Sequence, residues 1–212
     1  MEITWLGHAC FKIKTGDKTI ITDPFDASIG LKEPKGEADI VTVSHHHFDH
    51  ANTKAITGSP TTLEGPGEYE IGGISITGVP AYHDKEKGLT RGRNTLFVFD
   101  AEGIRVCHLG DLGHKLSDEE LEELDGVDIL LVPVGGTYTI DGKEAAEVVA
   151  QIEPSIIIPM HYKIEKLNLD IADASKFTHE MGAKSEALDK LIIKAATLPE
   201  EGEKVVLLKP KL

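Results

Sequence analysis

The stretch Ser44-His45-His46-His47-Phe48-Asp49-His50 packs four imidazoles and a carboxylate into seven residues. His45 and His47 lie two apart and leave a strand on the same side, because successive side chains of an extended chain alternate faces. Asp49 and His50 follow at once, so a tight turn can aim them at a neighbouring point. Imidazole nitrogens and carboxylate oxygens bind zinc, manganese or iron at about 2.0–2.2 Å. A set split in this way suits two ions roughly 3.5–4 Å apart. A His-rich surface loop that picks up metal incidentally is the competing account of a triplet alone. The addition of Asp49-His50, directly after the apolar run Ile40–Val43, favours a dedicated site.

This cluster cannot complete two coordination shells, so further donors must arrive from elsewhere. His83 follows the apolar segment Ile76–Tyr82, Asp111 follows Val106–Gly110, and His161 follows Ile156–Met160. Each stands where a strand meets a loop, the position at which open α/β sheets gather active-site groups. One such His would more often be structural, but three such positions beside the cluster argue for a common site.

The elements that must carry these residues are legible in outline. Ile3–Leu6, Cys10–Ile13 and Thr19–Thr22 are short strands separated by Gly-containing turns, consistent with a hairpin meander. Ile40–Val43, Ile74–Thr77, Thr95–Phe99 and Ile104–His108 are further strands. Asp128–Val132 and Ser155–Ile158 have the apolar character of buried ones. Ser117 and Glu120 form a capping box ahead of a helix that stops at Gly126, and Asp141 caps a second helix reaching about Ile152. A third helix is predicted over Ile171–Met181, with closing strands at Leu191–Ile193 and Lys204–Leu208. Strand-rich segments with intervening helices imply two sheets covered by helices, an α/β layered domain. The 212 residues fit one domain spanning 1–212.

Composition narrows the partners. With 36 acidic against 22 basic residues the formal net charge is -14, which opposes non-specific attraction to nucleic acid or an anionic membrane. Two cysteines, Cys10 and Cys107, are too few for a disulfide framework. No apolar run approaches the roughly 18 residues of a membrane span, and the N-terminus lacks a signal-like core, so the cytoplasm is the expected compartment. The expected partner is a small-molecule substrate, with self-association into a homo-oligomer left open.

The ordered set His45-x-His47-x-Asp49-His50, His83, Gly110-Asp111 and His161 resembles the motifs of the metallo-β-lactamase fold superfamily. Thr4-Trp-Leu-Gly-His-Ala-Cys-Phe11, Thr22-Asp-Pro-Phe25, Leu109-Gly-Asp-Leu-Gly113, Pro133-Val-Gly-Gly-Thr-Tyr138 and Pro159-Met-His-Tyr162 are similar to the uncharacterised metal-dependent hydrolases related to L-ascorbate-6-phosphate lactonase. The resemblance implies a four-layer αββα sandwich, two mixed sheets flanked by helices, with the metals at one edge. It further implies that His45, His47 and His83 hold one ion, that Asp49, His50 and His161 hold the other, and that Asp111 bridges them. Ala81-Tyr-His-Asp84 departs from the Gly-His-Thr of better-known members and leaves the His83 loop less defined.

The chemistry so implied is hydrolysis by a hydroxide between two divalent ions, zinc first, with manganese or iron also accommodated. Asp49 and Asp111 are the catalytic carboxylates of that scheme, on a small ester, lactone or phosphodiester. A di-iron redox centre and a metal-binding module without catalysis are the alternatives, although no flavin-binding segment is evident to feed electrons to the former. His46 should point away from the cluster. His108 and His114 compete with Asp111 for its role, His8 is either a pocket donor or a turn residue, and Asp23 is a candidate acceptor for a ligand imidazole. Gly135–Thr139, Arg91 and Arg93 are candidate contacts for an anionic substrate group, and His179 is expected on an exposed helix face.

Overall fold

Period-two burial along the strands explains why the chain folds into two facing sheets. In the computed structural model, which describes residues 1–183, 187–199 and 202–212, the first three strands are β1 (Glu2–Gly7), β2 (Cys10–Thr15) and β3 (Lys18–Thr22). They form the antiparallel meander expected of them. β3 runs parallel to β4 (Ile40–Val43), and β4 parallel to β5 (Thr61–Glu64). Leu191–Ile192 joins the far edge beside β1.

The second sheet starts with β6 (Gly67–Ile71) and β7 (Ile74–Tyr82), and continues through β8 (Arg93–Ala101) to β9 (Ile104–His108), each antiparallel to the last. Then β10 (Ile129–Pro133) and β11 (Ile156–Met160) pair parallel beyond β9, with Lys204–Val205 at the edge. Both sheets are therefore mixed, of six and seven strands.

Along β8, Phe97 and Phe99 point between the sheets while Leu96 and Val98 point outward, and β10 repeats the pattern with Ile129 and Leu131 against Leu130 and Val132. Trp5, Phe11, Ile13 and Ile20 meet the inward set from the first sheet. Each such fully buried large side chain contributes about 1.5–3 kcal/mol of transfer free energy. The outer face of the second sheet is covered by α1 (Asp118–Glu123), α2 (Gly142–Ile152) and α3 (Ser175–Glu180), through Ala145, Val148, Val149 and Phe177. The expected capping box is present at Ser117/Glu120, and the expected cap Asp141 forms a second box with Glu144. The outer face of the first sheet is covered by the 3-10 turn Ala27–Ile29 together with Phe25, Leu31, Leu167 and Ile171.

Two local expectations change. The third helix begins at Ser175, not Ile171, because Ile171 is buried under the first sheet and Phe177 under the second. The intervening backbone is bound elsewhere, with the Ala172 N–H donating to the Gly135 carbonyl and its carbonyl accepting from Lys163. The predicted strand over Lys204–Leu208 is split. Lys204–Val205 pairs with β11, and Leu207–Leu208 pairs with Ala187–Leu188. β5 and β6 carry no expectation from sequence, since β5 buries only Leu63 and β6 alternates among exposed and half-buried residues next to Gly and Pro. Among the described residues no helix is long and apolar enough to cross a membrane.

Candidate metal centre

Strand ends from both sheets converge at one place. After β4 the chain folds over Ser44–His50, closed by a hydrogen bond from the His50 N–H to the His47 carbonyl of 3.0 Å. That turn sets His45 Nε2 3.0 Å from His47 Nδ1 and separates both from Asp49-His50, which gather with His8. His83 leaves β7 with its ring 4.7 Å from that of His45 and 5.1 Å from that of His47. His161 leaves β11 stacked on His50 at 5.9 Å. Asp111 leaves β9 through Gly110, whose φ of +52° and contact with Asn94 and Ser44 admit no side chain without displacement.

All seven expected donors thus lie in one cluster, buried except for the exposed His47 and resolved into two groups. The side-chain donor atoms of His45, His47 and His83 lie within 4.8 Å of one another, as do those of His8, Asp49, His50 and His161. Between the groups stands Asp111. Its Oδ2 is 3.2 Å from His83 Nε2, 3.3 Å from His50 Nε2, 3.3 Å from His161 Nε2 and 3.8 Å from His45 Nε2.

The ring orientations are set from behind. Asp23, fully buried, accepts the Ser44 N–H at 2.8 Å and the Ser44 hydroxyl at 2.5 Å, and its Oδ2 lies 3.0 Å from His50 Nδ1. Ser44 Oγ lies 2.9 Å from His45 Nδ1. With both Nδ1 atoms donating backward, the Nε2 lone pairs of His45 and His50 face the cluster, an arrangement that raises the basicity of ligand imidazoles. Asp23 is therefore engaged through both oxygens, and a third grouping, Asp23 with His45 and His50, belongs to this support rather than to a separate site. Asn94 clamps the Asp111 turn, accepting the Asp111 N–H at 3.0 Å and donating to the Leu109 carbonyl at 2.9 Å. The relay through Ser44 and the Asn94 clamp escape sequence reasoning; the only cue is their position beside ligand motifs.

The charges are consistent with a cation at the centre. Burial opposes ionisation of Asp111, yet His161 and His50 hold its carboxyl well below the usual range. Burial likewise opposes Asp49 and Asp23. Asp49 is lowered by the His8 hydrogen bond and by His50, and Asp23 by His50. Burial pushes His8 down to about 4 and His45 down to about 3, so both are neutral lone-pair donors at pH 7. His50 is raised despite its burial, by Asp111 and Asp23. Three buried carboxylates, Asp23, Asp49 and Asp111, crowd this site with negative charge that divalent cations would offset. Buried polar atoms also stand unpartnered: Nδ1 of His8, Nδ1 of His83, Oδ1 of Asp111 and Nδ1 of His161. These features fit metal ions at the cluster.

The remaining histidines sort cleanly. His46 is exposed and turns to Glu64, with Nε2 3.5 Å from Oε2. His108 accepts the Gly110 N–H on Nδ1 and reaches the Ala9 carbonyl from Nε2 at 2.8 Å, so both nitrogens are committed to backbone. His114 likewise accepts the Tyr82 N–H at 3.0 Å and reaches the Lys115 carbonyl at 2.8 Å. Neither rivals Asp111. His179 is exposed on α3.

A cleft of about 580 Å³ opens onto the cluster, lined by His47, Asp49, His83 and Asp111 on its floor and by Phe48, Arg91, Tyr138 and Leu169 above. Arg93 is exposed and lines a neighbouring hollow with Glu64. The Gly136 N–H is donated to the Ile140 carbonyl at 3.2 Å and cannot serve an anion, while Gly135 packs against the His161 carbonyl with no room for a side chain.

Residues 2–161 match a family described as the beta-lactamase superfamily domain. The chain is 34% identical over 203 residues to a UPF0173 metal-dependent hydrolase of Methanoregula boonei, an overlap covering 84% of this chain and 88% of that protein. It is 34% identical over 205 residues to the corresponding protein of Thermoplasma acidophilum, with 84% and 89% covered. A crystal structure from Thermotoga maritima, described as a proposed Zn-dependent hydrolase of the metallo-β-lactamase superfamily, superposes with a TM-score of 0.80 at 41% identity. That match covers 98% of this chain and 97% of the other.

Proposed function

The chain belongs to the beta-lactamase superfamily domain family and is a metal-dependent hydrolase, and from that premise we propose that it works with two divalent ions on a small ester, lactone or phosphodiester. The observation that carries the two-ion reading is the position of Asp111 Oδ2, within 3.2–3.8 Å of imidazoles from both donor groups. His45, His47 and His83 would hold one ion and Asp49, His50 and His161 the other, with Asp111 shared. Zinc suits this nitrogen and oxygen set, and manganese or iron is also compatible with it. Ions bound there would lower the pKa of water and would polarise the scissile carbonyl or phosphoryl oxygen.

The chain's own groups supply orientation and access. Asp23 and Ser44 fix the His50 and His45 rings, leaving their Nε2 lone pairs forward. Asp49 Oδ2, 3.2 Å from His8 Nε2, is held at the cleft floor, where it can position the attacking water. The cleft admits a small molecule, and Cys10 and Cys107 are both fully buried with their thiols pushed up by burial, so neither is a nucleophile.

Metal analysis of protein purified without added metal, followed by a panel of esters, lactones and phosphodiesters, tests the proposal. The expected result is about two ions per chain, with turnover lost on chelation and restored by zinc, manganese or iron. One ion at saturation, or full activity in the chelated protein, would refute it.

A further inference from the structure

Among the described residues Arg91 is a half-buried cation without a carboxylate partner, a state that its neighbours Lys87 and Arg93 share only as exposed side chains. Lys85 pairs with Glu144, Lys176 with Asp141 and Lys115 with Glu147. Arg91 has no carboxylate within 4.0 Å among the described residues, although the chain carries 36 acidic residues. It is half-buried, and it lines the same cleft as His47, His83 and Asp111.

Its placement is built rather than incidental. Asp84, buried next to His83, accepts four backbone N–H groups, from Glu86 and Gly88 on Oδ1 and from Thr90 and Arg91 on Oδ2. That carboxylate winds residues 85–91 into a fixed loop and delivers the Arg91 backbone to the cleft wall. The side chain is then held at its far end. One guanidinium nitrogen donates to the Thr137 carbonyl at 3.0 Å, and the group lies over the Tyr138 ring, 5.7 Å from its centroid. Two contacts from the Thr137-Tyr138 segment thus hold a planar cation without neutralising it, and its other N–H donors have no partner among the described residues. A guanidinium presents those donors as a fork matched to a carboxylate or phosphate.

We infer that Arg91 is the receptor for an oxyanion, carboxylate or phosphate, which the substrate carries away from the bond that is cleaved. The inference rests on the hydrolase reading above and adds the substrate class to it. Arg91 binds the anionic group, Phe48 and Leu169 line the apolar part of the same cleft, and the metal cluster at the floor receives the scissile bond.

The test uses the metal-loaded protein and size-matched lactones and esters bearing a hydroxymethyl, a carboxylate or a phosphate substituent. A charged member should be preferred by about tenfold or more in kcat/KM, in line with hydrogen bonds to an ionised group. Arg91→Gln should bring the charged-to-neutral ratio down to near one. Arg91→Lys should recover part of it, and Arg93→Gln should leave it in place. The carboxylate and phosphate arms distinguish the two anions. A ratio that survives Arg91→Gln, or that is absent from the wild type, overturns the inference. A binding arm keeps this separate from the hydrolase reading. Calorimetry with tetrahydrofurfuryl phosphate against tetrahydrofurfuryl alcohol, neither of which offers a lactone or carboxylic ester, should show a preference for the phosphate that Arg91→Gln removes. Equal affinity of wild type and Arg91→Gln for the phosphate overturns the inference even if hydrolysis is seen. Failure of the panel with a positive binding arm instead counts against the hydrolytic substrates proposed.

Discussion

The floor and the wall of the cleft are built by different means. On the floor, each of the seven donors sits at or just beyond a strand end, and those with resolved backing, His45, His50 and Asp111, are fixed by buried hydrogen bonds from Asp23, Ser44 and Asn94. On the wall, Arg91, Tyr138, Phe48 and Leu169 come from loops, and the strongest organiser is a single carboxylate, Asp84, gathering backbone N–H groups. Sheets fix the chemistry and loops select what reaches it. The floor should therefore tolerate little change, while the wall can be altered with the metals still bound.

The contrast breaks first at its centre. Asp111→Ala removes the one oxygen shared by both donor groups, and kcat is expected to fall on the order of 10³-fold or more, with loss of bound metal measured by elemental analysis. Retention of both ions and full activity would show that Asp111 is misassigned. Next in size is Asp23→Asn, which keeps the shape but exchanges an acceptor for a donor facing His50 and Ser44. Metal affinity, read by competition with a chelator, is expected to drop about 10–100-fold. Asp84→Ala should act on the wall alone. The 85–91 loop loses its anchor, KM rises several-fold, and metal content stays at the wild-type value; a variant that loses metal would dissolve the distinction between floor and wall. The smallest effect concerns the thiols. Cys10 and Cys107 should resist a thiol-specific chromogenic reagent in the folded protein and both react once it is denatured, because burial raises the two thiols and denies access.

What was legible in the sequence follows the same division. Strands whose residues alternate between two apolar cores, such as β8 and β10, announce themselves, and so do helices with caps, such as α2. The HxHxDH run and the isolated donors His83, Asp111 and His161 could be read because metal ligation demands particular atoms at strand ends. Geometry added what spacing does not encode. Asn94 and Ser44 are ordinary polar residues until the fold places one under Asp111 and the other between Asp23 and His45. His8 stood undecided between a turn and a pocket residue; its φ of +53° and its contact with Asp49 show that it is both. Arg91 and Arg93 were indistinguishable in sequence, and only the fold turns one into the cleft and the other away. The helical period overextends α3, because an apolar residue at 171 fits that period equally well when it serves a different core.

The carbonyl of His8 accepts both the Trp5 indole N–H at 2.9 Å and the backbone N–H of His161 at 3.1 Å. The first turn of the molecule is thereby stapled to the last of its donors, more than 150 residues onward. Such a contact has a long loop to close before it can form. During synthesis, the HxHxDH run leaves the ribosome well before His161 exists, so a growing chain can offer at most a partial set of donors. The complete centre is a late product of folding, and full metal loading must await a chain that has already brought residues 8 and 161 together.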